Sequence, residues 1–254
     1  MILAQITDTH LMSPNPAEPR AAARARALKQ SVTDINSLDP RPDAVIHTGD
    51  MTQTAAATEI ALACELLAPL AMPLYVTPGN RDGRQALIGA FFGDDCVADG
   101  GFVHYAVNHH PVRLVAIDSL SGNNNKGNFC RARLDALDTT LAQVPDQPTA
   151  LFMHHPPFNV STSLYPFQYN CRPAVAELAT VVSRHNHVVR IFTGHSHRPY
   201  VAHFGGTVAS TMPSVAPDLR QGDYPAAMAD RPVYQLHRFD AQGGFVSETR
   251  LVDA

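Results

Sequence analysis

Along the first two-thirds of the chain, short apolar runs alternate with longer segments in which apolar residues recur every three or four positions. The first pattern predicts strands buried on both faces and the second predicts amphipathic helices. Ile2 to Thr7 reads as a strand ending in a polar cluster, and Pro19 to Leu38 as a helix with Leu28, Val32, Ile35 and Leu38 on one stripe. Strand Ala44 to His47, helix Ala55 to Leu70 (stopped by Pro73), strand Leu74 to Thr77 and helix Gly83 to Phe92 come next. Val103 to Val107 and Val112 to Ile117 read as strands, Arg131 to Val144 as a helix, and Ala150 to Met153 as a strand. Pro173 to His185 then reads as a helix and Val188 to Thr193 as a strand.

After residue 197 the helical spacing stops. Tyr200 to Ser210 and Val233 to Val252 read as strands that turn at Gly205-Gly206 and Gly243-Gly244. No internal repeat or low-complexity linker divides the chain, so residues 1–254 read as a single α/β domain with a strand-rich C-terminal part, 198–254. Two sheets packed face to face, with helices outside, fit this order.

Composition narrows the function classes. The 254 residues hold 19 Lys and Arg against 23 Asp and Glu, a net charge of −4. A protein that grips a nucleic-acid polymer through its phosphates usually carries a basic excess, so that class is disfavoured. No run reaches the roughly 18 apolar residues of a membrane span. The first residues, MILAQITDTH, lack the basic and apolar regions of a secretory signal, so a cytoplasmic protein is the expectation. The apolar face of residues 55–70 lacks a basic polar side, so it reads as core or an oligomer contact rather than a membrane surface. Cys64, Cys96, Cys130 and Cys171 are too widely spaced for a zinc ribbon or disulfide framework and are expected to be buried thiols. The outlier is histidine, with 13 residues, roughly twice the average share.

The polar blocks just past the apolar strands carry the chemistry. The first strand delivers Asp8-Thr9-His10, the second Gly49-Asp50 and the third Gly79-Asn80-Arg81-Asp82. Two later strands deliver His154-His155-Pro156-Pro157 and Gly194-His195-Ser196-His197. Ligands of α/β sheets sit outside the carboxyl ends of the strands, so these distant segments would converge on one crevice. Carboxylates, imidazoles and an amide oxygen without thiolates suit divalent Mn, Fe, Co or Zn. Such a set is too large for one tetrahedral zinc and fits two ions of higher coordination, a pair that can clamp a phosphate and activate water.

In this order the blocks resemble the calcineurin-like metallophosphoesterase family, whose pattern runs D-x-H, GD, GN[H]-[DE], H and GHxH. The stretches RPDAVIHTGD, PLYVTPGN, MHHPP and IFTGHSH are most similar to its class III cyclic nucleotide phosphodiesterase and glycerophosphodiesterase branch. The resemblance implies a four-layer α/β-β/α sandwich of two mixed sheets flanked by helices. It implies that Asp8, His10 and His197 hold one cation, that Asn80, His154 and His195 hold a second, and that Asp50 bridges them. It further implies hydrolysis of small phosphodiesters, cyclic 3′,5′-nucleotides or glycerophosphodiesters, by metal-activated hydroxide. A phosphomonoesterase or pyrophosphatase would share the same core. A non-catalytic scaffold would be expected if ligands were missing. Related proteins often assemble through a strand-rich C-terminal part, so a homo-oligomer is a further implication.

One position departs from the family. Arg81 stands where the pattern has His. Arginine stays charged at any working pH, so it can stabilise phosphate charge but cannot give up a proton. Arg81 is therefore expected to clamp phosphate. Water or His155, a neighbour of the metals or of the substrate, would protonate the leaving group, or nothing would. Asp82 is expected to brace its loop, and Asp118 to orient a ligand or end a strand. His47, His104, His109, His110, His185, His187, His203 and His237 are expected to be structural or surface residues. The loops Ser121 to Asn128 and Asn159 to Arg172 read as pocket walls, with Tyr165, Phe167 and Tyr169 placed to flank a base or alcohol.

Overall fold

The computed structural model describes residues 1–93, 96–98 and 100–253. The chain begins with β1 (Ile2–Ile6), α1 (Pro19–Ser37), β2 (Ala44–His47), α2 (Ala57–Leu67), β3 (Leu74–Val76) and α3 (Arg84–Phe91). A two-residue strand β4 (Val97–Ala98), which the sequence pattern missed, precedes β5 (Phe102–Val107) and β6 (Arg113–Ile117). Then come α4 (Arg131–Ala142), β7 (Thr149–Phe152), α5 (Arg172–Ser183), β8 (Val188–Thr193), β9 (Tyr200–Phe204) and β10 (Thr207–Thr211). The chain closes with β11 (Val233–Asp240) and β12 (Gly244–Leu251).

One sheet has the order β12-β11-β1-β2-β3 and the other β4-β5-β6-β7-β8-β10-β9. β1, β2 and β3 are parallel, as are β6, β7, β8 and β10, while β11, β12, β5 and β9 run antiparallel to their neighbours. The strand-rich C-terminal part thus adds strands to both sheets. Gly205 and Gly206, at φ +57° and +85°, form the two-residue turn of the β9–β10 hairpin, a conformation that suits glycine.

Alternation along each strand builds the layers. Leu3, Ala44 and Ile46 meet Leu114, Ala116, Phe152 and Phe192 between the sheets. Ala4, Ile6 and Val45 face outward, toward Leu28, Val32 and Ile35 of α1 and Ile60 and Leu67 of α2. On the other side Val115, Ile117 and Leu151 pack on Leu134, Leu137 and Leu141 of α4 and Leu178 and Val182 of α5. Strands covered on both faces carry near-continuous apolar runs, which is why they were legible. The result is the expected four-layer sandwich of two mixed sheets.

Polar groups thread the layers. Gln5 on β1 donates to Thr48 Oγ1 at 2.9 Å and to the Thr193 carbonyl at 3.0 Å, and its Oε1 faces His237 Nε2 at 3.0 Å. At the β3 edge the Tyr105 hydroxyl accepts from Val76 N–H at 2.9 Å and donates to Val76 O at 2.8 Å. Arg84 pairs with the buried Asp118, which also accepts from Val103 N and Leu120 N, so Asp118 ends its strand and anchors α3. The expectation of buried thiols fails. Cys130 and Cys171 are exposed at the N-caps of α4 and α5, where the chain turns at the surface, and Cys64 and Cys96 are half-buried. Among the described residues no helix is long and apolar enough to cross a membrane.

Burial pushes His237 well below its ordinary range, and burial beside Arg113 pushes His104 from 6.5 to about 4. Both are therefore neutral in the fold. As pH falls from 6.5 toward 4, the unfolded chain takes up protons that the fold refuses, and stability is lost across that window. Denaturant midpoints measured between pH 7 and 4 are expected to fall. His237→Gln should flatten the dependence, which would otherwise match the wild type.

Candidate metal centre

Every parallel strand of the first sheet, and β7 and β8 of the second, ends at the same edge of the sandwich, where the polar blocks meet. One group comprises Asp8, His10, Asp50 and His197, each offering a donor atom within 4.8 Å of the others. His197 Nε2 stands 3.2 Å from Asp8 Oδ1 and 3.3 Å from His10 Nε2. A second group gathers around His154 Nε2, which lies 3.1 Å from Asn80 Oδ1 and 3.2 Å from His195 Nδ1. Asp50 belongs to both groups. Its Oδ2 lies 3.4 Å from His10 Nε2, and its Oδ1 lies 3.4 Å from His154 Nε2.

The backbone is bent to achieve this. Asp8, His10, Asp50, His195 and His197 all have positive φ, between 44° and 66°, and among described non-glycine residues only Ala55 shares it. Such conformations cost about 1–3 kcal/mol each and cluster where function requires them. Close packing of glycines makes room for the turns. A Cβ on Gly194 would lie 2.1 Å from Thr7 Oγ1 and 2.7 Å from Asp8 Oδ2, and one on Gly79 2.1 Å from the Asp50 amide.

Three of the imidazoles have their outward nitrogens held from behind. His154 Nδ1–H donates to Thr48 O at 2.7 Å, His197 Nδ1–H donates to Leu219 O at 2.9 Å, and His195 Nε2 faces Gln168 Oε1 at 3.0 Å. Such partners fix ring orientation and turn the other nitrogen toward the centre. The Leu219 turn is itself tied down. Buried Arg24 grips Asp218 through Nε and Nη2, at 2.7 Å for the closest contact, and its Nη1 reaches His10 O and Gln53. Sequence reasoning missed Arg24, Asp218 and Gln168. The available signal was Arg24 itself, a cation on the buried stripe of α1 with Ala21, Ala27 and Leu28.

Electrostatically, the site demands positive charge. Asp8 is 0% exposed and Asp50 2%. Burial alone would raise both carboxylates. The facing imidazoles together outweigh it: His197, with His10 and His154, holds Asp8 well below its usual range, and His154, with His10, holds Asp50 at about 2. In return, against their own burial, Asp50 lifts His154 to about 9 and Asp8 raises His197. Asp8 Oδ1 and His10 Nδ1 are buried without a hydrogen-bond partner. Inward-facing nitrogens and oxygens, two buried carboxylates, an orphaned oxygen and no thiolate fit a pair of divalent cations, which answer the same demand as the protons they displace.

The remaining expected residues fall differently. His155 is fully buried, with Nδ1 2.9 Å from Ser119 Oγ and Nε2 3.3 Å from Asn125 O, so both ring nitrogens already have partners. Burial, then the neighbouring His195 and His154, hold it well below the ordinary histidine range. The Arg81 amide donates to Asp50 Oδ1 at 2.7 Å, while its exposed guanidinium has no hydrogen-bond or ion-pair partner among the described residues. Asp82 braces its loop, accepting from Met51 N, Thr52 N and Gly79 N. Of the three expected aromatic walls only Tyr165, 74% exposed, stands in the open. Tyr169 is a core residue, 1% exposed, whose hydroxyl donates to His155 O, and Phe167 is half-buried under Arg172.

The chain belongs to the calcineurin-like phosphoesterase family, whose profile matches residues 1–199. A probable glycerophosphodiester phosphodiesterase of Arcobacter nitrofigilis is 29% identical over 256 residues, covering 99% of this chain and 93% of its own. A 3′,5′-cyclic adenosine monophosphate phosphodiesterase of Haemophilus influenzae is 26% identical over 212 residues, covering 84% of this chain and 75% of its own. In fold, a dimetal phosphatase from Danio rerio superposes with a TM-score of 0.74 at 15% identity, covering 100% of this chain and 99% of its own.

The packing at Gly194 generates a direct test. Gly194→Ala forces Thr7 or Asp8 to move and is expected to destabilise the fold by about 1–3 kcal/mol, a typical cost of overpacking. It should also weaken Mn²⁺ binding measured by calorimetry, whereas an alanine at Gly89 in α3, where a Cβ meets open space without a left-handed backbone, should leave Mn²⁺ binding unchanged.

Proposed function

We propose that this protein hydrolyses small phosphodiesters at a pair of divalent cations, with cyclic 3′,5′-nucleotides and glycerophosphodiesters as the candidate substrates. Asp50 carries the reading, because its two oxygens face two separate histidine-containing groups, as a carboxylate spanning two cations must. The names of the relatives supply the diester preference. Asp8, His10 and His197 would hold one cation, and Asn80, His154 and His195 the other. Manganese, iron, zinc and cobalt all match the donor set.

When bound, two such cations supply Lewis acidity, neutralising phosphate oxygens and acidifying water. The chain's own residues do the rest. Leu219 O, Thr48 O and Gln168 lock the imidazoles, so the donors are preorganised. Arg81, beside Asn80 and with no carboxylate partner among the described residues, is free to bind a non-bridging phosphate oxygen and to stabilise charge that develops as water attacks phosphorus and the bond to the leaving alcohol breaks. It cannot donate a proton, and His155 is committed to Ser119 and Asn125. We therefore assign His155 a positioning role and protonation of the leaving alkoxide to water. Good leaving groups are favoured as a consequence.

With Mn²⁺, bis(p-nitrophenyl) phosphate should be hydrolysed and a chelator should abolish turnover. Asp50→Asn should lower kcat/KM more than about a hundredfold, beyond what loss of a ligand's outer partner costs. Equal rates with and without chelator would overturn the reading, and faster hydrolysis of p-nitrophenyl phosphate than of the diester would make the enzyme a monoesterase. Arg81→Ala is expected to lower kcat/KM for the diester about tenfold, the scale of one lost charge-assisted contact, with bound metal unchanged by elemental analysis. Unaltered kinetics would exclude the phosphate contact.

A further inference from the structure

Next to His195 and His197 the crevice opens into a cavity of about 540 Å³. Its walls come from four separate segments. Asn125 and Lys126 belong to one loop, Ser163 to Tyr165 and Gln168 to a second, and Arg198 and Gln221 flank the imidazoles. A diester held by its phosphate at the metal centre would lay one of its two alcohol arms here.

The charge of this cavity is one-sided. Among the described residues no aspartate or glutamate lines it, while Lys126 and Arg198 do. Eight other arginines, among them Arg24, Arg84 and Arg250, lie within 4 Å of a carboxylate. Among the described residues neither Lys126 nor Arg198 has such a partner. Arg198 is held in place instead. Its Nη1 donates to the Thr162 carbonyl, and its Nε is buried with no hydrogen-bond partner among the described residues. A half-buried guanidinium fixed by a carbonyl keeps its whole charge available. Lys126 is exposed on the opposite loop, its amide fixed by Asn124 Oδ1 at 2.8 Å.

We propose that Lys126 and Arg198 set substrate specificity, selecting phosphodiesters whose second alcohol arm carries an anionic group and rejecting arms that end in an ammonium or trimethylammonium. The inference rests on the diesterase reading and sharpens it. A cationic headgroup would enter against two like charges with no carboxylate to receive it. Tyr165 offers one aromatic face, but recognition of quaternary ammonium by aromatics uses a cage of several rings. An anionic arm would find the charge and the remaining N–H donors of Arg198 together with a mobile ammonium. At separations of roughly 6–8 Å in partly screened surroundings, each cation should change the preference about tenfold.

The test uses three p-nitrophenyl diesters with the same leaving group and arms of different charge. They are p-nitrophenyl phosphocholine, p-nitrophenyl ethyl phosphate and the p-nitrophenyl phosphodiester of 3-hydroxypropanoate. With Mn²⁺, kcat/KM is expected to fall in the order anionic, neutral, cationic, mostly through KM, with about a hundredfold between the extremes. Lys126→Ala and Arg198→Ala should each reduce that ratio about tenfold, Lys126→Glu should favour the choline arm, and added NaCl should compress the ratio in the wild type. Thermal melting of each variant checks the fold. Equal rates for the three arms, or a ratio unchanged in the folded variants, would overturn the proposal while leaving the hydrolase intact. If no diester is hydrolysed, calorimetric binding of the same three compounds still decides. The same order, lost in the variants, supports the pair even as the diesterase reading falls, and no order overturns it.

Discussion

Two carboxylates, Asp8 and Asp50, sit at strand ends with almost no contact with water, and the surrounding architecture follows from that constraint. A buried carboxylate needs positive charge or many hydrogen-bond donors close by. Asp8 Oδ2 accepts from Thr7 Oγ1 and His195 N, and Asp50 Oδ1 accepts from Arg81 N. Asp50 Oδ2 lies 3.4 Å from His10 Nε2, and Asp8 Oδ1, without a hydrogen bond among the described residues, lies 3.2 Å from His197 Nε2. Removing any one partner would leave charge stranded in a dry place, so the segments that supply partners are bound to one another through the site as well as through the cores.

Parallel topology makes this convergence possible. Helical crossovers after β1, β2, β6 and β7 return the chain to the same edge, so segments nearly 190 residues apart, such as those carrying His10 and His197, face each other. The sandwich alone would not aim the side chains. The left-handed turns at Asp8, His10, Asp50, His195 and His197 do that, at a conformational cost that the packed layers and the glycine contacts must offset. Stability and function are thus in opposition at five backbone positions and aligned nearly everywhere else.

The strands and helices were legible because burial on both faces leaves continuous apolar runs and burial on one face leaves a stripe. The donor-bearing blocks were legible because each comes directly after such a run. The missed features share a different character. Thr48 O and Leu219 O act through backbone atoms, which every residue has. Arg24 reaches Asp218 across 194 positions, and Gln168 reaches His195 from a loop whose path no periodicity encodes. Tyr169 was misplaced because an aromatic residue in a polar loop looks exposed, whereas here it stacks on Phe129 beneath His155. Cys130 and Cys171 were misplaced because thiol chemistry says nothing about helix starts. β4, only two residues long, has too little pattern to read.

At Val76 the Tyr105 hydroxyl takes the place of a neighbouring strand. An outermost strand ordinarily presents free amide and carbonyl groups to any passing chain. At β3 one such pair is already satisfied from within, so a foreign segment would have to displace a phenol before it could zip on. The phenol grows from the opposite sheet, so it also acts as a rivet between the two halves of the sandwich, set just upstream of Asn80. Sliding of one sheet over the other is thereby blocked at the point where it would pull the amide oxygen away from His154.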